Sequence, residues 1–420
     1  MNPGPYRPSR PFIPPFSCAT EPRDSTLAWS RSMRKITLVL FAVAFVVAGS
    51  AAMTIYAVRH YTLAQLNLGQ QIRDELVYMR KFDRISPDVA AIDTVGKLNA
   101  RSISQYRALR GKAIDFIWDG NPVPKNIIPQ VLASDLPSDH ALAAFQPVML
   151  RHTMSSEVVS QMYAFFPFGL EADCALIMLG GHSQGARTIR PDTLNALLAA
   201  LSAGCIAVHI SMPLQGDNYL LEADGSRSQG SHDRFRGRET SGYSPIRYFV
   251  EPVAVAVNWL RTNGTSGHIV TAGLSGGGWT AAVAAALDPR IDVTVSIAGS
   301  MPLEIRRGRP ESDLGDWEQH ESKLWDFLTY QDIYILSALE DHRSAHYVWN
   351  KEDICCFAGI RAHAFFPDLA GAADRMGISG LTYYVDETPE LGHTIGPLGI
   401  RSIMTAFARE APLSVNIACD

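Results

Sequence analysis

The sequence predicts an α/β fold in which helices cover both faces of a mainly parallel sheet. From about residue 140, short apolar runs alternate with helical segments, a pattern typical of successive strand–helix–strand units. At residues 268–287 an apolar run leads directly into a Gly-Leu-Ser-Gly-Gly turn and a helix of small residues. The chain has 420 residues, of which 47% are apolar and 19% charged, so it is able to bury a substantial core.

The N-terminal part of the chain predicts a tail followed by a membrane span. Residues 1–35 contain seven prolines among arginines, a composition that cannot build a core, so we expect a disordered cytosolic tail. Residues 36–58 are 23 residues without a charge, long enough to cross a bilayer. The alternative is a cleaved secretory signal with a cleavage site near residues 48–50.

Lys and Arg residues before this span favour a cytoplasmic N-terminus. The rest of the chain is then extracytoplasmic, in the periplasm or outside the cell. Residues 61–115 have mostly helical patterns, including one at 102–116, and we expect residues 59–139 to form a helical stalk or an N-terminal cover. Residues 140–420 form the predicted main domain, with a charged, irregular stretch at 302–330 placed where a lid can be inserted.

Each element of the main domain follows from its local pattern. Strands are apolar runs of four to ten residues, and helices have apolar residues at helical spacing or a proline in the first turn. The predicted strands are residues 148–152, 157–166, 174–179, 205–212, 268–272, 291–298, 345–349 and 381–385. The predicted helices are residues 191–201, 248–260, 279–287, 323–339, 366–376 and 400–410.

The pattern G-x-S-x-G occurs twice, around Ser183 and around Ser275. A catalytic serine in this motif needs a strand that ends at a sharp turn and a helix that starts at once behind it. Ser275 meets both requirements. Residues 186–190, which follow the Ser183 motif, do not make a convincing helix start. We therefore predict Ser275 as the nucleophile and keep Ser183 as the alternative.

The order of these elements resembles the α/β-hydrolase superfamily of serine esterases and lipases, over about residues 140–420. In that superfamily the nucleophile follows the fifth strand, the acid usually follows the seventh, and the histidine follows the eighth. The resemblance implies Ser275, Asp353 and His393 as the catalytic triad. Glu352 is the neighbouring alternative for the acid, and Glu340 or Asp341 replaces it if residues 333–336 are the seventh strand.

The same resemblance implies an oxyanion hole beside Ser275. Superfamily members carry a Gly/His-rich loop after the third strand, and Gly181, His182 and Ser183 occupy that place here. Their backbone N–H groups, with that of Gly276, are expected to hold the oxyanion. His393 is the predicted general base, and Asp353 is expected to orient it.

These observations predict an exported, membrane-anchored serine hydrolase, with a small-molecule carboxylic ester as the substrate. A peptidase or thioesterase with the same triad, and a non-catalytic binding protein on the same scaffold, are the alternatives. The net charge of −5 includes no basic stripe, which argues against a nucleic-acid partner. No C-x-x-C or H-E-x-x-H spacing occurs, so we expect no metal site. Hydrolysis through a serine triad and an acyl-enzyme needs no cofactor, so we expect none.

The six cysteines are too few for a dense disulfide framework in a chain of this length. Cys174 and Cys205 each open a predicted strand, and Cys355 and Cys356 are adjacent. An exported location permits a bond between Cys174 and Cys205. The interpretation that we favour is two buried, unpaired thiols.

Overall fold

The structure is a computed structural model that describes most of the chain from residue 85 to residue 408. The gaps within that range are residues 86, 156, 170–171, 183, 241–242, 264, 266, 307–313 and 354. The predicted tail at 1–35, the predicted span at 36–58 and Ser183 therefore lie outside the described residues. Among the residues that are described, no helix has both the length and the apolar character needed to cross a membrane.

One sheet contains the eleven strands of the described residues. Nine of them follow the order β1-β2-β3-β5-β4-β8-β9-β10-β11, and β6 and β7 lie off this path. The strands are β1 Gln130–Ala133, β2 Val148–Met154, β3 Val158–Phe165, β4 Cys174–Leu179, β5 Ile206–Ile210, β6 Tyr219–Leu221, β7 Arg227–Ser228, β8 His268–Leu274, β9 Val293–Ile297, β10 Ser344–Asn350 and β11 Leu381–Asp386. From β5 to β11 all neighbours are parallel, whereas β1, β2 and β3 pair antiparallel. The short strands β6 and β7 extend from β3.

Helices connect the parallel strands, as the sequence predicts. The α-helices are α1 Pro87–Ala90, α2 Ile103–Trp118, α3 Pro191–Ser202, α4 Arg247–Thr262, α5 Gly276–Leu287, α6 Leu303–Arg306, α7 Trp317–His320, α8 Tyr330–Ser337, α9 Phe366–Arg375 and α10 Pro397–Ala408. Helices α3 and α10 contact each other and the sheet, while α5 contacts both α4 and α8 in a second layer. The central strands β5 and β9 are buried along their whole length because both faces are covered.

One predicted helix, at 323–339, is wrong in extent. The structure divides it into a 3₁₀ helix at Lys323–Asp326 and the separate helix α8. Thr329 starts α8 with a capping box, because its hydroxyl accepts the N–H of Asp332 and the Asp332 carboxylate accepts the N–H of Thr329. This reciprocal pair fixes a new helix start inside a run whose apolar spacing looks continuous.

The helix α2 is docked on the sheet domain by its polar side chains. Arg110 donates to the carbonyl oxygens of Ala286 and Leu336 at 2.9 and 3.1 Å, and the indole N–H of Trp118 donates to Glu251 at 2.9 Å. Burial of Glu251 opposes its ionisation, but hydrogen bonds from His152 and Arg247 outweigh burial and lower its pKa to about 2. The buried carboxylate therefore stays charged and links α2 to the core.

A disulfide joins Cys174 to Cys205, so the interpretation of two unpaired thiols is wrong. Cys174 is the first residue of β4, and Cys205 directly precedes β5. These strands are parallel neighbours in which Ala175 is paired with Ile206. This register brings the two Cα atoms within 4.7 Å, a distance that a disulfide can bridge. The adjacent residues Cys355 and Cys356 are also bonded to each other.

Candidate active site

Ser275 occupies the turn between a strand and a helix. Strand β8 ends at Leu274 and helix α5 begins at Gly276, so Ser275 is the single residue between them. Its backbone has φ 59° and ψ −129°, a conformation that costs free energy in a residue with a side chain. The N–H of Ser275 donates to the carbonyl oxygen of Ile297 at 3.0 Å, which helps to hold the turn. The side chain is therefore presented at the carboxyl edge of the sheet.

The two glycines of this motif are required by close approach of the backbone. A Cβ atom on Gly273 would lie 2.4 Å from the carbonyl carbon of Gly277. A Cβ atom on Gly277 would lie 2.0 Å from the carbonyl oxygen of Leu179 on the neighbouring strand β4. Helix α5 therefore leaves the sheet so sharply that no side chain fits at either position.

Asp353 and His393 form a hydrogen-bonded pair at the same edge of the sheet. Nδ1 of His393 is 2.7 Å from Oδ2 of Asp353, and Asp353 has no exposed surface. The other carboxylate oxygen accepts the backbone N–H groups of Cys355 and Cys356 at 3.0 and 3.1 Å. Because the carboxylate accepts at Nδ1, the neutral imidazole has its lone pair at Nε2, where it can take up a proton.

The other acids proposed from the sequence lie elsewhere. Glu340 binds Arg107 at 2.7 Å and Arg110 at 3.3 Å on helix α2, and the preceding residues 333–336 are helical. Glu352 accepts the backbone N–H of Glu390 at 2.9 Å. Asp353 is the one of these carboxylates that is bonded to His393.

Two side chains that the sequence analysis missed hold the histidine loop. Asn350 donates to the carbonyl oxygens of Gly392 and Thr394, both at 2.7 Å. Asp192 accepts the hydroxyl of Thr394 at 2.6 Å and the N–H of Ile395 at 3.0 Å. Since His393 lies between these anchored residues, its backbone is fixed from both sides.

Asp192 is well suited to this contact. Burial opposes its ionisation, but hydrogen bonds from Thr394 and Ile395 and the charge of Arg190 outweigh burial and lower its pKa. Arg190 also donates to the carbonyl oxygen of His393 at 3.1 Å. In the sequence Asp192 looks like an ordinary acidic residue in the first turn of a helix. No local signal distinguishes it from one that binds only its own helix.

The segment after β4 lies beside Ser275. A Cβ atom on Gly181 would be 3.4 Å from the Cβ of Ser275, and one on Gly276 would be 3.4 Å from Cε1 of His182. The segment continues into a 3₁₀ helix at Ala186–Thr188, and α3 begins only at Pro191. The first G-x-S-x-G is thus not followed at once by an α-helix, although Ser183 itself is outside the described residues.

The described residues include no hydrogen bond between the Ser275 hydroxyl and His393. The structure thus joins the predicted residues in two groups: Asp353 with His393, and Ser275 with Gly181, Gly276 and His182. Arg190 and Asp192, which follow the Gly181 segment, connect it to the histidine loop. The predicted lid at 302–330 contains α6, α7 and a 3₁₀ helix, and its residues 307–313 are not described.

Comparison with known proteins identifies the fold. No model of a protein family and no curated protein matches the sequence. Among solved structures, Methylesterase BT1017 superposes with a TM-score of 0.51 at 14% identity, over 74% of this chain. The protein has the α/β-hydrolase fold. This chain spans 63% of the length of that methylesterase chain.

Two further solved structures are similar at lower TM-scores. Acetyl Xylan Esterase 1 from Thermoanaerobacterium sp. JW/SL YS485 has a TM-score of 0.45 at 16% identity, covering 74% of this chain and 95% of that one. Pyrococcus horikoshii acylaminoacyl peptidase has a TM-score of 0.44 at 13% identity, covering 63% and 40%. In this chain, with β1, β6 and β7 set apart, Ser275 follows the fifth strand, Asp353 the seventh and His393 the eighth.

Proposed function

We propose that this protein is a serine hydrolase in which Ser275 is the nucleophile, His393 the general base and Asp353 the residue that orients the histidine. The observation that carries the proposal is the strained turn at Ser275, at the same sheet edge as the Asp353–His393 pair. A serine hydroxyl is a weak nucleophile at neutral pH and needs a base within reach. The free Nε2 of His393 supplies that base.

In the proposed reaction, Nε2 of His393 takes the proton of the Ser275 hydroxyl as Oγ attacks the substrate carbonyl carbon. The buried Asp353 carboxylate stabilises the resulting imidazolium. The backbone N–H of Gly276 and one from the segment 181–183 stabilise the oxyanion of the tetrahedral intermediate. His393 then protonates the leaving group, and an acyl-enzyme remains on Ser275. Water, activated by His393, hydrolyses this acyl-enzyme.

The proposed substrate class is a small-molecule carboxylic ester. The support for an ester is the similarity of this fold to a protein named a methylesterase, which is an argument by analogy. A panel of activated esters, thioesters and aminoacyl amides of matched acyl length tests it. We expect the highest kcat/KM for esters, and a preference for amides or thioesters would contradict the proposal.

The nucleophile is tested by labelling the full-length protein in detergent with a fluorophosphonate, followed by peptide mapping. We expect the adduct on Ser275, its loss in Ser275→Ala and a strong reduction in His393→Ala. Ser183→Ala is the matched control, since it alters the serine of the other motif and should still be labelled. An adduct on Ser183, or no labelling of folded protein, would contradict the proposed triad.

We also propose that residues 36–58 anchor the protein in a membrane, with residues 1–35 cytoplasmic and the hydrolase domain extracytoplasmic. The support is the length of the uncharged segment and the basic residues before it. The Cys174–Cys205 disulfide adds support, because disulfides persist in oxidising compartments.

Protease added to intact spheroplasts or cells tests this orientation. We expect digestion of the hydrolase domain without lysis, and carbonate-resistant membrane association of the full-length chain. Alkylation before and after reduction should show Cys174 and Cys205 oxidised in vivo. A domain protected until lysis, with both thiols reduced, would contradict the orientation.

A further inference from the structure

Four side chains that can bind a metal ion converge beside the Ser275 turn from three separate segments. His182 follows β4, His232 begins the 3₁₀ helix at His232–Phe235, and Asp316 and Glu318 lie at the start of α7. One ligand atom from each of the four residues lies within 4.8 Å of every other. No short ligand spacing in the sequence indicates this group, because its members come from segments that are far apart in the chain.

Two distances within this group are close to those between the ligands of a tetrahedral site. Nδ1 of His232 is 3.2 Å from Oε1 of Glu318 and 3.3 Å from Oδ2 of Asp316. Ligand atoms about 2.0–2.2 Å from a tetrahedral zinc ion are about 3.3–3.5 Å from one another. Nε2 of His182 is in direct contact with Oδ2 of Asp316, which completes the group. To bind one ion, Nε2 of His182 and Oδ2 of Asp316 must move apart, whereas His232 already lies at a suitable distance from both carboxylates.

The hydrogen bonding of His232 leaves one ring nitrogen for a cation. Nε2 lies 2.9 Å from the carbonyl oxygen of Pro213, which can only accept, so Nε2 carries a proton and donates it. Nδ1 then faces the two carboxylates and either carries a second proton or binds a metal ion. Histidines that bind metals through one nitrogen commonly donate the other N–H to a carbonyl in this way.

Glu318 provides an independent sign that a cation belongs here. Its side chain has no exposed surface, and its Oε2 atom has no hydrogen-bond partner among the described residues. A buried carboxylate oxygen without a donor costs free energy, and such groups are rare in folded proteins. Oε1 of the same carboxylate lies 3.2 Å from Nδ1 of His232, so an ion bound there through both carboxylate oxygens would satisfy Oε2.

We propose that His182, His232, Asp316 and Glu318 together bind one divalent transition-metal ion, with zinc as the best fit. Two neutral imidazoles and two carboxylates balance the charge of such an ion. Calcium and magnesium prefer sites made of oxygen ligands, whereas a mixed nitrogen and oxygen set of four suits zinc. With four protein ligands the coordination shell is closed, so the ion has a structural role and takes no part in hydrolysis.

The ion would order the surroundings of the nucleophile. His182 is next to Gly181, which lies against Ser275, while Asp316 and Glu318 belong to the predicted lid segment. One ion bound by all four residues holds the Gly181 segment, the His232 helix and α7 together. A catalytic consequence of ordering the Gly181 segment rests on the proposed hydrolase function, whereas the binding of the metal ion does not.

The test uses full-length protein in detergent, stripped with a chelator and dialysed. We expect elemental analysis after addition of zinc to find one ion per chain, and cobalt to give the intense visible bands of a tetrahedral site. Glu318→Gln should weaken zinc binding at least tenfold and abolish the rise in thermal midpoint caused by zinc. Asp316→Asn, at a side chain that is 34% exposed, provides a second variant if Glu318→Gln fails to fold.

Asp233→Asn is the matched control, because Asp233 is next to His232 but is exposed and pairs with Arg236. It should bind zinc like the unaltered protein. The proposal is overturned if folded protein takes up no stoichiometric metal, or if both variants bind zinc as tightly as the control. Fluorophosphonate labelling of the same samples separates the proposals: labelling without metal binding removes only the metal site, and metal binding without labelling removes only the serine mechanism.

Discussion

Nδ1 of His393 lies 2.7 Å from the buried Oδ2 of Asp353, while the backbone of Cys355 and Cys356 donates to the other oxygen of that carboxylate. Nδ1 of His393 can make one hydrogen bond, and it makes that bond with Asp353. The arrangement fixes both the tautomer and the direction of the ring, and both are properties that a general base needs.

We therefore expect Asp353→Asn to lower kcat by about 10⁴-fold, since an amide at this position favours the wrong tautomer of His393. Steady-state kinetics on the best ester substrate measures this effect. Glu352→Gln is the control, because this neighbouring acid contacts the backbone of Glu390 and should retain nearly full activity. A large loss in Glu352→Gln with little effect in Asp353→Asn would reverse the assignment of the acid.

Asp192 lies outside the proposed triad and holds the loop that carries His393, so we expect it to be a positioning residue. Asp192→Ala removes the acceptor of Thr394 and Ile395, so the loop that carries His393 loosens. We expect kcat to fall about 10- to 100-fold with KM nearly unchanged, because misplacement of a catalytic group affects the chemical step. Asp368→Ala is the control, as Asp368 is an exposed acid in the first turn of α9. Equal effects of the two variants would indicate a general helix-terminus effect instead.

The backbone around the Ser275 turn leaves no space for a side chain at Gly277. A Cβ there would be 2.0 Å from the carbonyl oxygen of Leu179, so Gly277→Ala must separate α5 from β4. We expect a loss of at least about 3 kcal/mol in the free energy of unfolding, measured with urea. Gly111→Ala, inside α2 with nothing within 4 Å of its Cβ, should instead stabilise the protein by up to about 1 kcal/mol. Similar stability of the two variants would mean that the backbone of Leu179 lies farther from Gly277 than in this structure.

Burial gives two histidines a role in acid stability. It lowers the pKa of His209 and of His346 to about 4, below the usual value of 6.5 that applies to the unfolded chain. Above pH 6.5 both states are neutral and stability is complete. Below pH 6.5 the unfolded chain binds protons first, so each histidine lowers stability by up to about 1.4 kcal/mol per pH unit until pH 4.

His209→Leu should flatten this dependence between pH 6.5 and pH 4, because neither ring nitrogen of His209 has a partner among the described residues. Urea unfolding at several pH values measures the slope. His342→Gln replaces an exposed histidine and should leave the slope as it is. If the His209→Leu slope equals that of the unaltered protein, His209 is not the source.

Most strands and helices of the sheet domain could be predicted from the sequence because each depends on a local pattern. The strand before Ser275, its turn and its helix are contiguous, so this element could be predicted without tertiary information. Apolar spacing predicted one continuous helix at 323–339, but the capping box of Thr329 starts a separate helix within that range. The disulfide between Cys174 and Cys205 depends on which strands are neighbours, and apolar runs do not specify strand order.

The α/β class and the strand–turn–helix around Ser275 could be read from the sequence alone, and the resemblance to known hydrolases added the predicted order of serine, acid and histidine. The contacts between separate segments came from the tertiary structure: Asp353 with His393, Asp192 and Asn350 with the histidine loop, and the group of His182, His232, Asp316 and Glu318. These contacts join residues from 40 to 203 positions apart in the chain. Periodicity reports the burial of one segment at a time, whereas a site depends on how separate segments pack against one another.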